Sequence, residues 1–501
     1  MPATKTQTKD LVVPPPSRIS TGRRFLWGLG GATDFLTYNS LNGLMDAIYV
    51  NAMALDPKII GLARSIPRLL DLATDPILGH LSDNTRSRWG RRRPWMAVGA
   101  VLAAVTAILM WYPPLNGGAW LTTAYVLGMS IILFTLGYSM FMIPYTAQGY
   151  ELSTDYNERT HIFQWRLYAY AAIGFLGPWL LPLCLWLEGP MANVTRGVNG
   201  VHWVSVGIAS AILLTACGPI FGCREKSVHA AEKKTKFYAA LRFTIRNKAF
   251  WPLVAANFLV KFGMVVTMCF FYYVMVYHVS GGDNKTGTTR LAIFYNSINI
   301  AMFLAMALIV RFTDRIGKKS ALMILMLMSA VTYASVWFTL RPQQADSILG
   351  ISGFLHNSCA IPSIIADIWP ALITGACIGI FTSPMPLVMN SMLADVCDVD
   401  ELACGQQRQA FYGAIFVTCD KLAMAMAMFL QGFLVSASGY NAKLVTQTPD
   451  TMIYWMKALL FTQPVGFILG FFCVLAYPIT RAKALEVRHL LDARNDTHGS
   501  G

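Results

Sequence analysis

Charge is scarce in this chain. Only 13% of its 501 residues are Asp, Glu, Lys or Arg, against about 25% in an average soluble domain. That deficit excludes an ordinary solvated surface, and 55% hydrophobic residues exclude a disordered chain. Acidic residues are scarcer than basic ones, 26 against 40, for a net charge of +14. Such an excess can mark a nucleic-acid binder. Here Lys and Arg sit in short loops between apolar runs, which membrane topology produces with no nucleic-acid partner. None of the ten cysteines forms a CxxC pair or joins a metal-ligand cluster. Cys184, Cys217, Cys269, Cys377 and Cys473 lie in apolar runs, where a thiol serves as a small hydrophobe, so neither disulfides nor zinc are expected. The glycines of GLGGAT (28–33) follow no strand, which excludes a phosphate-binding loop. No nucleophile or nucleotide constellation stands out; neither an enzyme nor a cofactor is expected.

What the chain has is long apolar runs. Twelve of them follow one another, the first near 26–50 and the last near 454–478, each about the 20 residues that cross a bilayer as a helix. The reading is an all-α membrane protein of twelve transmembrane helices in two six-helix bundles. Residues 1–24 read as a basic tail, 25–222 as the first bundle, 223–248 as a connector, 249–480 as the second bundle and 481–501 as a second tail. The polar, Pro-containing start predicts no cleaved leader and a retained first helix.

Lys and Arg crowd the first tail, the loop after the second run (Arg86 to Arg93), the connector, the loop Arg311 to Lys319 and the last tail. All fall on one side of an even-helix topology, so both termini are predicted to be cytoplasmic in a plasma (bacterial inner) membrane. A repeat supports the two halves. GHLSDNTRSRWGRRRPW (79–95) follows the second run and VRFTDRIGKKSALM (310–323) the eighth. A fainter pair is YELSTDYNERT (150–160) and LADVCDVDELACGQQR (393–408). Half-chain similarity of this kind is what duplicated transporter halves show.

The second run carries charges where a membrane helix should have none. Arg64, Arg68, Asp71 and Asp75 are spaced four, three and four apart, which puts them along one helical stripe. One charge at the bilayer centre costs about 3 kcal/mol on insertion scales. Four on one face require a protein interior or a water-filled path. Two carboxylates a turn apart in low dielectric must take up a proton or share a cation. Asp71 and Asp75 are therefore candidate ligands of a coupling ion, H+ or Na+. Thr74 and, from the fourth run, Ser139 are candidate further oxygens. The bland alternative is a structural ion-pair set with Arg64 and Arg68.

The first repeat resembles the loop motif of the major facilitator superfamily. The run RLLDLATDPILGHLSDNTRSRWGRRRPW resembles, more narrowly, the glycoside–pentoside–hexuronide:cation symporters, the melibiose-carrier family. The resemblance implies that Asp71 and Asp75 bind Na+, Li+ or H+. It matches the family's other membrane charges to Arg68, Asp34, Arg166 and Lys421. Met142 stands where galactoside binders of the family carry a sugar-binding Asp, and Thr146 where they carry a stacking Trp. Those departures put galactosides in doubt and leave the cation site intact.

Asp34 and Arg166, single charges in different helices, could grip solute hydroxyls together, or form a solute-independent ion pair. Tyr138, Tyr145, Trp165, Tyr168 and Tyr412 could stack on a sugar face or simply pack the core. Lys421 could answer the carboxylates of the second helix, and Lys261 is a weaker candidate of the same kind. Asp83, Arg88, Arg91, Asp314 and Arg315 read as gate charges that bridge the halves, or as topogenic charge alone. The expected activity is cation-coupled symport of a sugar- or glycoside-like solute across a lipid membrane by alternating access. The rivals are the same machine carrying a lysolipid-like amphiphile, and a receptor that binds solute without moving it.

Overall fold

The computed structural model describes residues 19–152, 156–189, 196–223, 247–340, 368–404 and 409–499. The first tail up to residue 18 and most of the connector lie outside the described residues. Twelve helical rods fill the rest: α1 (residues 21–52), α2 (Pro57–Asn84), α3 (Arg93–Leu109), α4 (Leu115–Leu152), α5 (residues 156–188), α6 (Val198–Gly222), α7 (Phe250–Val279), α8 (Asn284–Ile316), α9 (Lys318–Thr339), α10 (Trp369–Ala403), α11 (Gln409–Ala437) and α12 (Pro449–Leu475). A further helix, α13 (Arg481–Gly499), follows. The reading of 481–501 as a tail missed that helix, which buries Val487 and Leu491 and brings Arg488 to 3.8 Å from Asp398.

Side-chain caps start the rods where the sequence offers them. Asp56 accepts from the Lys58 amide at 2.9 Å with Pro57 leading α2, and Asp283 accepts from the Lys285 amide at 3.1 Å at the head of α8. Each satisfies a backbone donor that the first helical turn leaves open. The Glu188 carboxylate caps α6 by accepting from the amides of Gly197 and Asn199, at 2.7 and 2.8 Å, where the helix dipole favours negative charge.

Among the described residues, nine helices are long and apolar enough to span a bilayer. Neither α1 nor α2 is one of them. α2 carries its charged stripe and two internal prolines, Pro67 and Pro76. α1 was expected as one unbroken span, but it turns at Leu29 and runs through two π-helical segments, Phe35–Ser40 and Asp46–Ala52. Such segments gather at functional sites, and both polar rods contribute to the site together with α4, α5 and α11.

The two six-helix bundles meet along two pairs, α2 against α11 and α5 against α8. The first pair is close. A Cβ on Gly432 would stand 2.5 Å from the Pro57 carbonyl oxygen, so only glycine lets α11 approach α2 there.

Candidate functional site

The four charges of α2 share one stripe, yet they part company across the fold. Arg64 turns to α1: its Nη1 donates to Asp46 Oδ2 at 2.6 Å and its Nη2 to the Asn42 carbonyl. Gln431 of α11 donates to the same Asp46 oxygen at 3.2 Å. Arg68 lies face-on to the Tyr38 ring, 3.7 Å from its centroid, and donates to the Tyr38 hydroxyl at 2.9 Å and to Asp71 Oδ2 at 2.8 Å. A guanidinium stacked and bonded in this way stays charged and fixed.

Asp71 is buried, and its Oδ1 has no hydrogen-bond partner among the described residues. A buried carboxylate oxygen without a donor is costly, and a proton or hard cation would satisfy it. Asp75, one turn on, accepts from Ser139 Oγ at 3.0 Å and is paired with the Lys421 ammonium. Lys421 also stands 4.0 Å from Asp71 Oδ2. Lys421 thus answers both carboxylates across the interface between the halves, and it sits where a free cation would compete. Thr74 lies beside them in sequence, but its hydroxyl donates to the Leu70 carbonyl at 3.1 Å, a local bond common in membrane helices.

Asp34 accepts from Tyr138 at 3.0 Å and from Arg166 at 3.1 Å. The approach of α5 to α1 depends on glycine: a Cβ on Gly31 would stand 2.2 Å from the Arg166 carbonyl oxygen. The Tyr138 ring is 5.5 Å from Tyr38 and 5.5 Å from the Arg68 guanidinium. Hydrogen bonds and ion pairs join Arg166, Asp34 and Tyr138 at one end and Arg68, Asp71, Lys421, Asp75 and Ser139 at the other, and the Tyr138 ring, 5.5 Å from the Arg68 guanidinium, links the two sets. Met142 and Thr146 follow Tyr138 by four and eight residues on α4. Met142 is buried and Thr146 half-buried.

The remaining candidates fall elsewhere, apart from the Tyr145 ring, which lies 5.5 Å from the Arg166 guanidinium. Tyr145 stacks on Trp27 at 4.6 Å and donates to its carbonyl at 3.0 Å, and Tyr412 accepts from Asn247 at 2.9 Å. Both rings are spent on the core. Trp165 packs edge-on between Phe25 and Tyr168. Lys261 pairs with Asp420 at 3.7 Å. Of the gate charges, Asp83 and Arg91 come together at 3.8 Å, joined by Arg92 at 3.0 Å and by Glu151, which lies 2.8 Å from Arg91. These bonds stay within the first half. Arg88, Asp314 and Arg315 are exposed, and the Arg315 carbonyl accepts from Arg481 at 3.1 Å. Sequence reasoning missed Asp46, Gln431, Arg92 and Glu151. Asp46 carried a signal, as an acid inside an apolar run; neutral Gln431 carried none.

The family model described as MFS/sugar transport protein matches residues 26–481. An uncharacterized symporter of Synechocystis is 27% identical over 93% of this chain and 96% of its own length. A putative glycoside/cation symporter of Escherichia coli is 23% identical over 93% of both. In three dimensions the chain resembles the crystal structure of a nucleoside transporter, with a TM-score of 0.60, 12% identity, and coverage of 92% of this chain and all of the other. At that identity the likeness speaks for the fold alone.

Proposed function

Since this chain belongs to the MFS/sugar transport protein family, we propose that it is a cation-coupled symporter of a sugar- or glycoside-like solute, working by alternating access. H+ or Na+ is held at Asp71 and Asp75, with Ser139 and Thr74 as neighbouring oxygens. Solute is met by Asp34, Arg166, Tyr138 and Lys421 beside Arg68, Met142 and Thr146. The observation that carries this reading is the set of contacts that links the two groups through the Tyr138 ring and the Arg68 guanidinium. A cation entering at the acid pair displaces Lys421 and loosens Asp71 from Arg68. Arg68 shares the Tyr38–Tyr138 ring pair, and Tyr138 holds Asp34. Occupancy at one end thus changes the bonds at the other, and by linkage solute must raise cation affinity by the factor that cation raises solute affinity.

We place the protein in a bacterial inner membrane, and the distribution of Lys and Arg supports cytoplasmic termini with the basic loops inside. The loop charges Asp83, Arg88, Arg91, Asp314 and Arg315 then serve the inner gate. Buried Met142, at the galactoside binders' acidic position, favours a second reading in cargo alone: an amphiphile of lysolipid type moved by the same cation site.

The test is uptake into proteoliposomes across a glycoside, pentoside, hexuronide and lysolipid panel, with Na+ and pH gradients imposed separately. One solute class should accumulate against its gradient under one ion. Asp75→Cys should abolish accumulation and keep downhill exchange. Full accumulation by that variant, or binding without flux for the whole panel, overturns the reading.

A further inference from the structure

The end of the molecule away from the basic loops is tied shut around one uncharged side chain. Asn51 of α1 is 2% exposed. Its Nδ2 donates to Tyr272 Oη at 2.6 Å and to Asn284 Oδ1 at 2.9 Å. Its Oδ1 accepts from Tyr277 at 2.5 Å, Tyr440 at 3.1 Å and Arg196 at 3.1 Å. Arg196 belongs to the first half and also donates to the Ala442 carbonyl of the second. The tyrosines and Asn284 all come from the second half. Both amide donors and the acceptor of Asn51 are therefore saturated, almost entirely from across the interface.

Helix geometry explains how this cluster is aimed. Tyr272 and Tyr277 are five residues apart, about 140° around an α-helix, and could not both reach one partner from a regular α7. A π-turn, bonded i to i+5, returns such a pair to one face, and α7 becomes π-helical at Val274–Val279. Asp46 and Asn51 are also five apart and lie within the π-turn Asp46–Ala52 of α1. Both face the second half, Asp46 toward Gln431 and Asn51 toward the tyrosines. α1 and α7 are the opening helices of the two halves, so the device is duplicated.

We propose that Asn51 is the latch holding the two halves closed at this end, and that the π-turns of α1 and α7 aim Asn51 and the tyrosines Tyr272 and Tyr277 at each other. In the rocking motion the latch must release for the cavity to open there. The four Asn51 bonds that cross the interface are then exchanged for water, which eases release, whereas a buried ion pair at the same place would resist it. A single neutral hydrogen bond is worth roughly a factor of five in the closed-to-open ratio.

The proposal rests on the two halves rocking, as transport requires, and not on any cargo. Its test uses the full-length purified protein without solute, so a failed uptake panel leaves it standing. Asn116, in the first turn of α4, and Thr446, in the loop before α12, are exposed at this end, one in each half. Spin labels carried there on p-acetylphenylalanine leave the cysteines untouched, and the distance between them is read by electron–electron double resonance. The unaltered chain should show mainly the short distance. Asn51→Ala should move the closed-to-open ratio at least tenfold toward the long distance. The double change Tyr277→Phe with Tyr440→Phe, which removes two hydroxyls and keeps the rings, should move it several-fold. A folded Asn51→Ala protein with an unchanged distribution overturns the proposal, as does an unmoved distribution in the double variant.

Discussion

Replacing Lys421 by Ala should tighten cation binding ten- to hundredfold. Around the acid pair, Asp71 and Asp75 carry two negative charges, and Arg68 and Lys421 carry two positive ones. A cation binding to this neutral set must push Lys421 aside. Without Lys421 the set carries one net negative charge and binding neutralises it. Lys421 stands 4.0 Å from Asp71 Oδ2, where two unit charges interact by about 4 kcal/mol at an effective dielectric near 20. Hydration regained by the displaced ammonium offsets part of this, since Lys421 and Asp75 are 22% and 27% exposed. Keeping about a third to two-thirds of it leaves roughly 1.4 to 2.8 kcal/mol, the stated factor. The assay is calorimetric titration of the purified protein with Na+ and Li+, and proton uptake on a parallel sample. Unchanged or weaker affinity in a folded Lys421→Ala protein refutes the idea that Lys421 stands in the cation's place.

Other expectations follow from neighbouring contacts. Asp46→Asn leaves Arg64 a buried charge without its partner and should cost about 3 kcal/mol or more, whereas Asp46→Leu with Arg64→Met should recover most of that; thermal unfolding in detergent compares them, and equal losses would contradict a buried pair. Gly432→Ala should lower the melting temperature because its Cβ meets the Pro57 carbonyl oxygen at 2.5 Å, while Gly43→Ala, whose Cβ meets nothing within 4 Å, should not. Arg166→Lys should weaken solute affinity about tenfold, because an ammonium cannot present the planar fork that the guanidinium offers. Counterflow kinetics measure this, and an unaltered affinity would argue that Arg166 pairs only with Asp34.

Free energy of insertion acts locally, and so the spans were legible residue by residue. The twelve apolar runs reappear as twelve rods, as α2 shows: expected near 59–82 and found at Pro57–Asn84; the tenth departs most, expected to end near 391 and running on to Ala403. The charged stripe of α2 was legible for the same reason, since four charges in a span have no cheap place but an interior.

Pairing was legible for Asp34 with Arg166 and for Lys421 with the acid pair, and not for the rest, because a helical stripe fixes direction around one axis and says nothing of which helix lies opposite. Arg64 and Arg68 share that stripe, yet Arg64 goes to Asp46 of α1 and Arg68 to Asp71 of its own helix. Tyr145 and Tyr412 have the same chemistry as Tyr138, and only packing sends the first two into the core. Asn51 shows the limit most plainly. A neutral amide in an apolar run costs too little to stand out, and its partners converge through π-turns that an α-helical periodicity cannot express. The sequence by itself decided what must be buried in the membrane and which charges needed company. The tertiary structure decided the company of Arg64, Arg68 and Asn51, because long-range contacts depend on how twelve helices cross rather than on any stretch of one.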